Sequence, residues 1–191
     1  MKTISKNSVI TLEIKKSKFI GYTFSFSNIE DVEKELKILK NEHSSATHIC
    51  YAYILDSLEK CSDDGEPSGT AGLPILEVIK KNNLNNILVV VVRYFGGIKL
   101  GAGGLIRAYS KCASCVLKES SIKELVLYNM YKLELSYANM PLLNKIIKNN
   151  EITILNTTYA NNVICEIATN LDISIFSNIC LSVEKMGKEW F

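Results

Sequence analysis

The sequence predicts an α+β chain of two domains, and three observations carry that reading. Apolar residues recur at steps of three and four in some segments and in alternating or continuous β-branched runs in others. Nine of the ten glycines lie between Gly21 and Gly104, and after them only Gly187 remains, so the chain changes character partway along. The length of 191 residues allows one domain or two small ones, at roughly 100–200 residues each. A division into 1–121 and 122–191 separates a Gly-rich domain from a plainer one.

Taken in order, Val9–Ile14 and Phe19–Phe26 read as a hairpin rich in β-branched and aromatic residues. A helix follows, with Ser27 and Glu30 at capping-box spacing and Ile29, Val32, Leu36 and Leu39 on one face. His48–Leu55 reads as a strand and 56–73 as a long polar loop. Pro74–Lys81 is a short helix with proline at its first position. Ile87–Val92, a continuous β-branched run, has the pattern of a strand buried on both faces. Gly103–Lys118 is a helix striped by Leu105, Ala108, Tyr109, Cys112, Cys115 and Val116. The remainder reads as strand Glu124–Leu135, helix Pro141–Lys148 and a hairpin of Ile152–Tyr159 with Val163–Ala168. A helix from Asp172 to Cys180 and a strand Ser182–Met186 complete it. That βαββαβ order is ferredoxin-like.

Composition narrows the class. With 47% hydrophobic residues and a net charge of +2, the chain is not disordered. Its longest apolar run, Ile87–Val92, falls far short of the about 20 residues a membrane span needs. The opening residues are interrupted by Lys and Ser and do not form a signal peptide, which predicts a cytoplasmic protein with its six cysteines reduced. Residues 1–120 carry 16 basic against 13 acidic side chains and the rest 6 against 7, too even a balance to argue nucleic-acid binding from charge alone.

The segment from Arg93 to Tyr109 is the most informative. Tyr94 is followed by Gly96, Gly97, Gly101, Gly103 and Gly104, placed between a buried strand and a helix, with Arg93, Lys99 and Arg107 around them. Glycines let backbone N–H groups approach a ligand, and a helix start adds about half a positive charge, so the pattern suits phosphate. It is neither a Walker A loop nor a dinucleotide fingerprint. The alternative is a tight connection whose glycines serve packing.

A second segment, Ser62 to Pro74, holds Asp63, Asp64 and Glu66, which suit a hard cation such as Mg²⁺ or a base; a solvated turn is the competing reading. His48 and Cys50 share a strand face, but at roughly 7 Å they are too far apart for a nucleophilic pair, so His48 is expected to line the site and Cys50 to pack. Cys112 and Cys115 both fall on the helix's apolar stripe and read as core.

Three motifs then stand together: Ala46-Thr47-His48-x-Cys50-Tyr51-Ala52; Ser62 to Gly72 followed by Pro74; and Val91 to Tyr109 with its glycine spacing. In that order, over roughly 17–120, they resemble the IMPACT/YigZ family. The resemblance implies an N-terminal fold like a ribosomal-protein domain also seen in GHMP kinases and elongation factor G, followed by a ferredoxin-like domain. Eukaryotic relatives regulate the translation-stress kinase pathway through an additional N-terminal domain; this chain begins almost directly at the family domain, so that protein-interaction role is not expected to carry over. For bacterial members the resemblance implies a role in translation or nucleic-acid binding.

Two functions follow as expectations. The first is a non-catalytic, translation-associated regulator binding RNA, the ribosome or another phosphate-bearing ligand, with no cofactor. The second is a Mg²⁺-assisted enzyme acting on a small phosphorylated substrate through Asp63, Asp64 and Glu66.

Overall fold

The computed structural model describes residues 1–191 and divides them into two compact units, Met1–Glu124 and Leu125–Phe191. In the first, the elements run β1 (Lys2–Ile4), β2 (Ser8–Ile14), β3 (Ser17–Ser25), α1 (Ile29–Glu42), β4 (His48–Leu55), β5 (Leu58–Ser62), α2 (Gly72–Lys81), β6 (Ile87–Tyr94), α3 (Ala102–Glu119) and β7 (Ile122–Glu124). Five strands form an antiparallel sheet in the order β2-β3-β6-β4-β5, and β1 pairs with β7 in a separate ribbon. That ribbon is why the first unit ends at Glu124 rather than at residue 121.

The apolar run in β6 is explained by its place at the centre of the sheet. Successive side chains alternate between faces, and both faces are covered. Ile87, Val89 and Val91 pack with α2 and α3, through residues such as Ile75, Ile79, Tyr109 and Cys112. Leu88, Val90 and Val92 pack with Val32, Leu36 and Leu39 of α1. A helix–sheet–helix sandwich therefore demands hydrophobic side chains at every position of its middle strand.

Several boundaries depart from expectation for local reasons. Helix α1 is capped by Asn28, whose Oδ1 accepts from the Asp31 N–H at 2.9 Å, and not by Ser27. The stretch expected to be all loop contains β5, a mostly exposed edge strand paired with β4; Leu58-Glu59-Lys60-Cys61-Ser62 has no buried face to make it read as a strand.

The second unit comprises β8 (Leu127–Leu135), α4 (Met140–Asn149), β9 (Ile152–Tyr159), β10 (Val163–Thr169) and β11 (Ser182–Trp190), in an antiparallel sheet of order β11-β8-β10-β9. The sheet buries Leu133, Leu135, Cys165 and Ile167 against Leu143 and Phe176. The helix expected from Asp172 is a single 3-10 turn, Ile173–Phe176, with the Asp172 carboxylate accepting from the Ser174 N–H at 2.9 Å. The mixed α and β content read from the sequence is present in both units.

Candidate functional site

The registers of β3, β4 and β6 determine which side chains meet. Arg93 pairs with Phe19 on one side and His48 on the other, and all three share the face covered by α2 and α3. Arg93 is buried with its guanidinium carbon 5.5 Å from the ring centroids of both Phe19 and Phe95. Its Nη1 donates to Glu66 Oε1 at 2.6 Å, and the Tyr109 hydroxyl donates to the same oxygen at 2.7 Å. Arg93 is therefore not the mobile cation that its place beside the glycines suggests, but half of a buried ion pair at the floor of a pocket.

That pocket encloses about 280 Å³. His48, Glu66 and Arg93 form its floor, Leu100 and Phe95 its sides, and the exposed Lys99, Gly101 and Ala102 its rim. At the rim, Gly101 precedes α3 with φ +70°, a conformation glycine adopts without strain. The first helical backbone bond runs from the Leu105 N–H to the Gly101 carbonyl at 2.9 Å, and no side chain caps the helix. The N–H groups of Ala102, Gly103 and Gly104 are thus unpaired, as the first turn of a helix leaves them, and Ala102 and Gly103 are exposed.

Of the residues expected to form one site, the structure brings His48, Glu66, Arg93, Lys99 and Gly101 together and distributes the others. Tyr94 points to the opposite face of the sheet, where its hydroxyl lies 2.8 Å from His43 Nδ1; Phe95 lines the pocket in its place. Gly96 is committed to structure: a Cβ there would lie 1.8 Å from the Lys16 carbonyl oxygen, and its N–H donates to Ser17 Oγ at 3.2 Å. Gly97 is an exposed turn residue with φ +85°. Gly104 and Arg107 line a separate cavity of about 180 Å³ with Lys15 and Lys111, and Leu100 borders both cavities. Lys111, one helical turn beyond Arg107, was legible from its i+4 spacing; Lys15 arrives from a distant turn and was not.

The acidic loop also divides. Asp63 accepts from the N–H groups of Gly69, Ala71 and Gly72 at 2.8, 3.0 and 2.8 Å, tying the loop to the start of α2. Asp64 Oδ2 accepts from the Ile49 N–H at 2.6 Å. Only Glu66 reaches the pocket, and nowhere do three or more His, Cys, Asp or Glu side chains gather closely enough to hold a metal ion. Burial raises the Asp63 pKa, but its three N–H donors outweigh this and hold it below the usual carboxylate range. A depressed folded-state value means its contribution is present above the unfolded value of about 3.9 and is lost as pH falls through the folded one. Asp63→Ala should therefore lower stability at pH 7 by about 1 kcal/mol, the typical cost of removing such a cap. It should also flatten the acid limb in urea unfolding measured between pH 7 and pH 2.

Cys50 is packed as a neutral thiol. Its thiol donates to the Asp63 carbonyl at 3.0 Å, and burial pushes its pKa up to about 12.

A central antiparallel sheet between helices, with a buried carboxylate–guanidinium pair beneath a glycine-led helix start, defines an α+β domain with a pocket at the start of α3. The family model for the Impact N-terminal domain matches residues 15–117. The chain is 38% identical over 164 residues to the IMPACT family member YvyE of Bacillus subtilis, covering 84% of this chain and 76% of that one. It is 40% identical over 158 residues to an IMPACT family member of Haemophilus influenzae, covering 79% and 76%. A crystal structure of a hypothetical protein superposes with a TM-score of 0.70 at 27% identity, over 97% of this chain and 96% of the other. The chain belongs to the IMPACT family. No helix is long and apolar enough to cross a membrane.

Proposed function

We propose that this IMPACT-family chain is a non-catalytic, translation-associated regulator that holds a phosphate-bearing ligand, RNA backbone in particular, at the rim of the Glu66–Arg93 pocket. The observation that carries the reading is the open start of α3. The unpaired N–H of Ala102 lies at the rim with Lys99, and that of the exposed Gly103 follows it in the first turn, with no carboxylate among the rim residues. The second cavity, bordered by Lys15, Arg107 and Lys111, supplies three more cations for an adjoining phosphate. Phe95, 44% exposed beside the pocket, offers a ring on which a base can stack. Membership of the family supports the link to translation, and a cytoplasmic location accompanies it.

We read the two units as an IMPACT-type N-terminal domain, 1–121 extended by β7, and a ferredoxin-like C-terminal domain. The order β11-β8-β10-β9, with α4 between β8 and β9, supports the second assignment, its other helix being reduced to the Ile173–Phe176 turn.

Binding of a labelled single-stranded RNA oligomer, followed by fluorescence anisotropy across a salt series, tests the proposal. Affinity should fall with salt, and Lys99→Ala should reduce the slope of log affinity against log salt by about 0.7, the share of one phosphate contact on a single strand. Absence of RNA binding at low salt, or an unchanged slope in Lys99→Ala, would refute it.

A further inference from the structure

We infer that the pocket floor selects ribose over deoxyribose, so that the RNA held here is recognised at one nucleotide through its 2′-hydroxyl. This rests on the phosphate-binding reading above and adds a selectivity to it.

At the pocket floor one carboxylate oxygen is left without a donor. Glu66 Oε1 is satisfied by Arg93 and Tyr109, whereas Oε2 accepts no hydrogen bond and lies 3.8 Å from His48 Nε2. His48 Nδ1 is 2.8 Å from the Asp64 carbonyl oxygen. A carbonyl can only accept, so Nδ1 carries a proton and donates to it, and Nε2 is left facing Oε2. An unbonded carboxylate oxygen and the second imidazole nitrogen therefore face one another at the pocket floor, the Glu66 side chain being 3% exposed and that of His48 19%. Arg93 Nε is the one buried side-chain polar atom left without a partner, so Oε2 stays reachable from the pocket.

A hydroxyl, donor and acceptor at once, complements Oε2 and the nitrogen beside it, whereas a phosphate, whose oxygens accept, cannot donate to Oε2. The rim has the converse preference: the amide of Ala102, with Lys99, offers a donor and positive charge. The ligand must therefore present anionic oxygens at the rim and a hydroxyl donor at the floor, within about 280 Å³. A ribonucleotide places a 2′-hydroxyl beside its 3′-phosphate; a deoxyribonucleotide lacks that donor, and the 2′-hydroxyl is the group by which proteins distinguish the two polymers. A free nucleotide shares this chemistry, and the experiment separates the two sources.

The full chain is titrated at low salt against three labelled single strands of one sequence: RNA, DNA and 2′-O-methyl RNA. RNA should bind roughly tenfold tighter than the other two, the expected worth of one hydrogen bond to a charged group. His48→Ala, checked for an unchanged thermal midpoint, should lower RNA affinity to the DNA level and leave DNA affinity where it was. Equal binding of the three strands overturns ribose selection while sparing the phosphate reading, as does an RNA preference that survives His48→Ala. Failure to bind any strand overturns both. Displacement of the RNA by an equimolar ribonucleoside monophosphate would overturn the polymer as the ligand.

Discussion

Gly96→Ala is expected to destabilise the first unit by roughly 3 kcal/mol or more, at the upper end of the cost of overpacking. The added Cβ would lie 1.8 Å from the Lys16 carbonyl oxygen and 2.6 Å from the Ser17 nitrogen. Both are backbone atoms of the β2–β3 connection, so no rotamer change relieves the clash, and either the hairpin or the end of β6 must move. Gly97→Ala separates this effect from the loss of a flexible residue. Gly97 also has positive φ, but no atom lies within 4 Å of a Cβ built there, so its cost should stay near the roughly 1–2 kcal/mol of a left-handed non-glycine residue. Urea unfolding of the two variants measures the difference. Equal losses would mean that β2 and β3 do not press against residue 96 in solution.

Glu66→Ala should cost about 3–5 kcal/mol, the usual result of removing one partner from a buried ion pair. Arg93 would keep a buried guanidinium whose Nε already lacks an acceptor, and the Tyr109 hydroxyl would lose the carboxylate to which it donates. Truncating Glu66 thus strands two donors in the core at once. Glu66→Gln, which retains an acceptor oxygen but no charge, should fall between the wild type and alanine. Denaturant midpoints for the three proteins test the ordering, and an alanine variant within 1 kcal/mol of the wild type would contradict it.

These effects arise where the sequence was least able to reveal the role of a residue. The six apolar residues of β6 announced a strand covered on both sides, and the stripe on α3 announced its buried face, because both patterns are local and repeat with the period of the element. Strand β5 was hidden because a polar edge strand carries no burial signal, and β1 because three residues are too few to show a period. The site was half legible. Glycines before a helix marked the rim, but Arg93 was assigned to it on proximity alone. Its partner Glu66 stands 27 positions earlier, in a loop whose other two carboxylates turned out to be engaged by backbone N–H groups. Tyr94 and Phe95 could be told apart only through the pleat, which sends one to each side of the sheet.

The β1–β7 ribbon bears on how the chain matures. Lys2 pairs with Glu124, so Lys2–Ile4, although it already reaches Asn85 and Asn86, gains its strand partner only once the chain has been made as far as Glu124. The strands of the large sheet can assemble before that moment; the closing ribbon cannot. Pairings between such distant positions make slow steps, and completion of this half of the molecule must wait on the stretch of chain leading into the other.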